Sequence, residues 1–242
     1  MLNFNYVTDA VSIGLYVLSW VLIGLLVLKI YRRQQVKPRW WKAAVATLAG
    51  IVTFTINWEL SGELVKIPIL PLGVWILYGI LKRKEDRWDK YRSFAWLGFA
   101  SNFVFLAATL ISIPLYSLVY PESDAATHIA DADNASVVAI HPSGEDGLIL
   151  DKDRLIDQLP SMDQEKVESD VWYNQMYRKS EGKRNKNERF PYQLIGVSSK
   201  WGSGVKPVIY LEDDGKGILI TTPDEQSYFR FNQSILQEGM AR

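Results

Sequence analysis

Four apolar stretches in the first half of this chain, each followed or preceded by a sharply localised set of basic residues, restrict what it can fold into more than any other feature. A bilayer core about 30 Å thick takes roughly 20 helical residues, with about 17 to 25 tolerated. The stretches run from Val11 to Ile30, Ala43 to Leu60, Leu64 to Leu81 and Phe94 to Tyr120. Lys29, Arg32, Arg33, Lys37, Arg39 and Lys42 lie at or after the end of the first, and Lys82, Arg83, Lys84, Arg87, Lys90 and Arg92 between the third and fourth. Residues 1 to 10 have no Lys or Arg, and the link at 59 to 66 has only Lys66. That asymmetry is the positive-inside pattern of a multi-pass membrane protein.

The sequence therefore predicts four transmembrane helices. Both basic loops face the cytoplasm, the N-terminus lies outside, and everything after Pro121 is extracytoplasmic in a cell membrane. The first stretch lacks a basic n-region and a small-residue cleavage site, so it reads as a retained helix.

Charge divides at the same place. Residues 1 to 120 carry 13 Lys and Arg against 6 Asp and Glu, whereas residues 121 to 242 carry 14 against 21. The formal net charge of +0 thus hides a basic half and an acidic half. The basic half suits an anionic inner leaflet. An acidic outer half repels phosphate, and topology already accounts for the basic loops, which argues against a nucleic-acid partner. The chain has no cysteine, so no disulfide can hold the outer part together. Its core must do so, and this composition fits a bacterial envelope better than a secreted eukaryotic domain.

Trp40, Trp41, Trp58, Trp88 and Tyr91 flank the spans at headgroup level, where amphipathic rings settle. Ala46 and Gly50 form a small-xxx-small pair that lets the second helix pack closely. Pro68 and Pro71 are expected to kink the third helix near its outer half or to mark its entry at the interface, and Pro114 invites the same disturbance in the fourth. Intramembrane polar groups are expensive and therefore candidates for function. Here they are Asn57, Glu59 and Glu63 around the outer hairpin and Asn102 in the fourth span. No carboxylate or His occupies a midplane position of the kind that proton-coupled transport uses.

Residues 121 to 135 are small and acidic and read as a linker. Asp131, Asp133 and Asn134 lack the later Gly and Glu of a calcium loop. Residues 136 to 242 read as an α+β domain. Short strands are expected at 136–140 and 147–150, and a helix from Asp151 to Leu159 ending at Pro160. A second helix is expected from a Ser161/Gln164 capping box to about Lys179, followed by a solvated loop from Lys179 to Arg189. Strands at 192–199, 205–211, 217–222 and 227–231 follow, with a hairpin turn at 213–217 and a last helical turn at 232–239. The gaps are too short for parallel crossovers, so the sheet is expected to be an antiparallel meander.

Catalytic patterns are absent from this half. Two His and no Cys leave little for a zinc site. Gly202, Ser203 and Gly204 do not have nucleophile-elbow spacing, and no phosphate loop is present. Glu212, Asp213 and Asp214 read as turn chemistry. Trp201, beside Lys200, is different, because a large ring in the turn Ser199 to Gly204 has no evident inward face. An exposed ring beside a cation is a natural anchor for a partner.

The function expected from sequence is a non-enzymatic membrane protein that displays an extracytoplasmic domain for binding, sensing or envelope assembly. Its expected partners are the lipid bilayer and a protein or envelope ligand. No catalytic or metal residue and no cofactor is assigned. A small transporter or channel subunit, and an envelope enzyme, are the alternatives.

Overall fold

The computed structural model describes residues 9–60, 63–83, 86–179, 188–223 and 225–238. The chain divides into two compact units, residues 1–116 and 117–242.

The first unit contains helix α1 (Ala10–Arg33), helix α2 (Trp40–Gly50), a hairpin of strands β1 (Phe54–Leu60) and β2 (Glu63–Leu70), and helix α3 (Leu72–Leu81). It ends in helix α4 (Arg87–Val119), whose last residues run into the second unit. Two of these helices, α1 and α4, are long and apolar enough to cross a membrane, and most of their surface faces outward. The Asp9 carboxylate caps α1 by accepting from the Ser12 amide at 2.8 Å. Helix α4 continues through Pro114.

Helices α1 and α4 run antiparallel. Tyr16 meets Thr109 at 3.1 Å, Trp20 stacks edge-on against Phe105 at 5.2 Å, and the Gln34 amide donates to the Lys90 carbonyl at 3.0 Å. Beside them, α2 presents Ala43, Ala46, Thr47 and Gly50 inward. Gly50 and Gly98 sit where the α2 and α4 backbones touch: a Cβ at Gly50 would overlap the Ala95 carbonyl, and one at Gly98 the Thr47 carbonyl. The small residues of α2 thus permit the backbone contact that their spacing suggests.

The second and third expected spans are not continuous helices. Each is half helix and half strand: α2 stops at Gly50 and the chain continues as β1, and β2 leads into α3 with Pro71 as its N-cap. Four transmembrane helices are therefore not what the structure contains. Ile51, Val52, Thr53, Thr55 and Ile56 are β-branched, and from Phe54 to Leu60 apolar and polar residues alternate with the two-residue period of a strand. Pro68 and Pro71 exclude an uninterrupted helix on the return. Rather than kinking a helix, Pro68 lies in the ladder opposite Thr55.

The second unit opens with a short helix α5 (Ala125–His128) and continues through β3 (Ser136–Ala139), β4 (Leu148–Leu150), helix α6 (Lys152–Gln158), a 3-10 turn at Leu159–Ser161 and β5 (Asp163–Glu165). Helix α7 (Ser169–Lys179) precedes β6 (Tyr192–Ile195), β7 (Val208–Leu211), β8 (Gly217–Thr221), β9 (Gln226–Arg230) and β10 (Leu236–Glu238). Six strands form one sheet in the order β3-β6-β7-β8-β9-β5, every neighbour antiparallel, and β4 pairs separately with β10. The β6–β9 meander is the one expected from the turn spacing.

One face of the sheet, carrying Leu194, Ile209, Leu211, Ile218, Ile220 and Phe229, is buried with Leu155 and Leu159 from the α6 region. Asp151 caps α6 by accepting from the Arg154 amide at 3.0 Å and pairs with the Arg154 guanidinium at 3.1 Å.

Four further expectations change. The 121–135 stretch is no free linker, because Ala125, Ile129, Ala132 and Ala135 are buried in this core. The Ser161/Gln164 capping box does not form: Gln164 sits in β5 opposite Phe229, and the helix starts later, at Ser169. The final helical turn is instead β10, drawn into the ladder by Leu150 opposite Leu236. Of the expected solvated loop, residues 180–187 lie outside the described residues, and Arg189 is half-buried rather than solvated.

Candidate functional site

The turn that presents Trp201 is braced on both sides. Gly202 and Gly204 have φ of +78° and +72°, in the left-handed region where glycine carries no Cβ penalty. The Lys200 amide donates to the Thr127 carbonyl at 2.9 Å, the Ser203 amide to the Lys200 carbonyl at 3.0 Å, and the Ser199 hydroxyl to the Val205 carbonyl at 2.7 Å. The Tyr120 hydroxyl donates to the Trp201 carbonyl at 3.0 Å. The Lys200 ammonium donates to the Val119 carbonyl at 3.0 Å and lies 5.6 Å from the centre of the Tyr120 ring. Fixed in this way, the Trp201 side chain remains 87 % exposed. A rigid backbone that holds a bare indole in solvent loses little conformational freedom when the ring is covered. Lys200, by contrast, is occupied in bracing the turn.

A second constellation, which sequence reasoning does not assemble, lies on the sheet face opposite the main core. Glu212 is buried, and its carboxylate accepts from Arg189 at 2.7 Å, Arg230 at 2.9 Å and the Tyr228 hydroxyl at 2.7 Å. Arg230 also reaches Asp214 at 2.9 Å. Gly217 leaves the space these groups fill, since a Cβ there would overlap the Glu212 carboxylate and the Tyr228 hydroxyl. The Arg189 guanidinium lies 4.6 Å from the centre of the Trp172 ring, and Trp172, Phe190 and Tyr228 form an edge-to-face cluster around it. Burial pushes the Glu212 carboxyl above its usual value, against the Tyr228 hydrogen bond and the charge of Arg189. Burial also raises the Tyr228 hydroxyl, helped by its hydrogen bond to Glu212.

This network borders a cleft of about 410 Å³ lined by Glu165, Lys166, Glu168, Val171, Trp172, Arg189 and Tyr228. Oxygens of Glu212, Asp213 and Asp214 come within 4.8 Å of one another, but guanidinium groups already neutralise Glu212 and Asp214. The arrangement is an ion-paired aromatic box filled by the protein's own arginine, suited to holding α7 against the sheet. Arg189, Tyr228 and Arg230 are all distant from Glu212 along the chain, and no local motif signals the box; the alternation of β9, which sends Tyr228 and Arg230 to one face, is the one hint.

His141 contacts the Ser143 hydroxyl at 2.8 Å within the turn that follows β3. His128 is buried, and among the described residues no hydrogen bond of good geometry reaches either ring nitrogen. Burial lowers its pKa, opposed by the nearby Glu122 backbone and the carboxylates of Asp124 and Glu225.

The intramembrane candidates separate. Asn102 donates to the Ile51 carbonyl at 3.1 Å and to the Phe99 carbonyl at 3.1 Å, so it caps the open end of α2. Asn57 and Glu59 are exposed on β1, and Glu63 pairs through its backbone with Leu60. The structure does not gather these four into one site. Comparison with protein-family models, curated proteins and solved structures finds no match for this chain.

Proposed function

We propose that this chain is a multi-pass membrane protein whose second unit is an extracytoplasmic, non-enzymatic binding module with a sensory or envelope-assembly role. The observation that carries the binding reading is Trp201, a fully presented indole on a turn braced by five backbone and side-chain hydrogen bonds. Large aromatic rings of this kind dominate the energetics of protein interfaces.

The membrane reading draws on the exposed apolar surfaces of α1 and α4 and on charge. The two basic connections lie at one end of the first unit, where Gln34 bonds Lys90. Under the positive-inside rule that end is cytoplasmic, and the second unit, reached through α4, is outside. Asn102 favours an architectural reading of the membrane part over transport, because its donor is taken up by a helix end.

A photo-crosslinking residue at position 201 of the full chain in native membranes tests the binding role. A discrete adduct at 201, absent when the same residue replaces exposed Asp163, is expected. Equal, featureless labelling at both positions would contradict it.

A further inference from the structure

The hairpin between α2 and α3 sits at a depth where its backbone cannot stay unpaired. Helices of 11 and 10 residues rise about 15 to 17 Å at 1.5 Å per residue, half of a bilayer core. Trp40 and Trp41 begin α2 beside the basic residues, and α2 ends against Asn102, whose amide donates to the Ile51 carbonyl. Asn102 lies opposite the middle of α1, since Trp20 meets Phe105 and Gln34 meets Lys90. So α2 and α3 fill one leaflet, and the strands Phe54–Leu60 and Glu63–Leu70 pass through the other.

Strands in hydrocarbon need every backbone donor and acceptor paired, which is why spanning sheets close into barrels. Here, among the described residues, β1 and β2 pair with each other alone, leaving two open edges. Among the described residues, four hydroxyls of α1 and α4 are already engaged: Tyr16 and Thr109 bond each other, and Ser19 and Ser112 bond carbonyls of their own helices. The hairpin is also two-faced. Ile56 and Trp58 share a face with Ile67 and with Val65, which is buried, while Thr55, Asn57, Glu59 and Lys66 share the other with Leu64 and Pro68. The alternation of apolar and polar residues along β1 is that of a membrane barrel wall, apolar outward and polar inward.

We infer that the hairpin edges are closed by second copies of this chain, with β1 of one copy pairing antiparallel to β2 of the next around an axis along the membrane normal. The symmetry follows from orientation. Copies inserted the same way have all their β1 strands running outward and all their β2 strands inward, so only β1 against β2 continues the antiparallel ladder. A ring of such contacts leaves no free edge. It turns Asn57 and Lys66 toward the ring interior and Trp58 toward lipid.

This inference rests on the membrane reading, and the test separates the two. Because the chain has no cysteine, chains carrying Ile56→Cys and chains carrying a single cysteine at Val65, Ile67 or Ile69 can be co-expressed at full length, oxidised in membranes and resolved by mass. The expected result is a disulfide-linked pair between position 56 and one of the β2 positions, with little linkage when Ile56→Cys is expressed alone. Position 56 is also expected to resist a water-soluble maleimide. Protection of position 56 with no β1-to-β2 linkage at any of the three positions would overturn the assembly and leave the membrane reading standing, as would linkage of position 56 chiefly to itself. Rapid maleimide reaction at position 56 would place the hairpin in water and overturn both.

Discussion

Single side chains divide into those that hold the second unit together and one that is spare. Glu212 holds it together. Replacing it with Gln removes the charge that two half-buried guanidiniums share, and the expected loss is roughly 2 to 3 kcal/mol, below the range for fully enclosed pairs because Arg189 and Arg230 keep a solvent-facing edge. Chemical denaturation of the full chain in detergent measures it. Trp201 is the spare one: Trp201→Ala is expected to shift stability by no more than about 0.5 kcal/mol, while the crosslinked adduct at that turn is lost from neighbouring probe positions. His128 confers a pH dependence. Its folded pKa lies below the unfolded value near 6.5, so the neutral form is favoured in the fold and stability is lost as pH falls below about 6.5. Thermal midpoints measured from pH 7.5 down to 5 should fall less steeply in His128→Leu than in the parent. Trp201 was legible in the sequence because a turn flanked by glycines gives a ring nowhere to go. Glu212 was not, because its partners arrive only through the register that sets Gly217 opposite Arg230.

Elements built from one uniform pattern were readable, and those that change pattern midway were not. Helices α1 and α4 follow from long apolar runs, and β6 to β9 from short β-rich runs separated by turn residues. The α2–hairpin–α3 segment is apolar enough on average to pass for a pair of helices, and the averaging conceals the change from small residues at Ala43 to Gly50 to strict alternation after Phe54. Asn102 marks where the change occurs. Asn102→Leu would leave the Ile51 carbonyl without its donor at the end of α2, at an expected cost of about 1 to 3 kcal/mol. Thermal unfolding in detergent, compared with Ser101→Ala as a neighbour on the same helix, checks this. The 121–135 segment misled for a different reason. Its alanines are too small to register as a core pattern, yet together with Ile129 they fill space under the sheet. Ile129→Ala should destabilise by about 2 to 5 kcal/mol, as expected for a fully buried position and not for a linker.

At the scale of the whole molecule, charge does the organising. The basic half and the acidic half cancel in number but not in place, and the proposed topology requires a membrane between the two basic connections and the second unit. The most direct measurement uses the absence of natural cysteine: single cysteines at exposed Val36, between α1 and α2, and at exposed Asp163, in β5, probed with a membrane-impermeant thiol reagent on intact cells. Position 163 should label at once and position 36 only after permeabilisation. Labelling of position 36 in intact cells, with position 163 protected until they are opened, would contradict that topology.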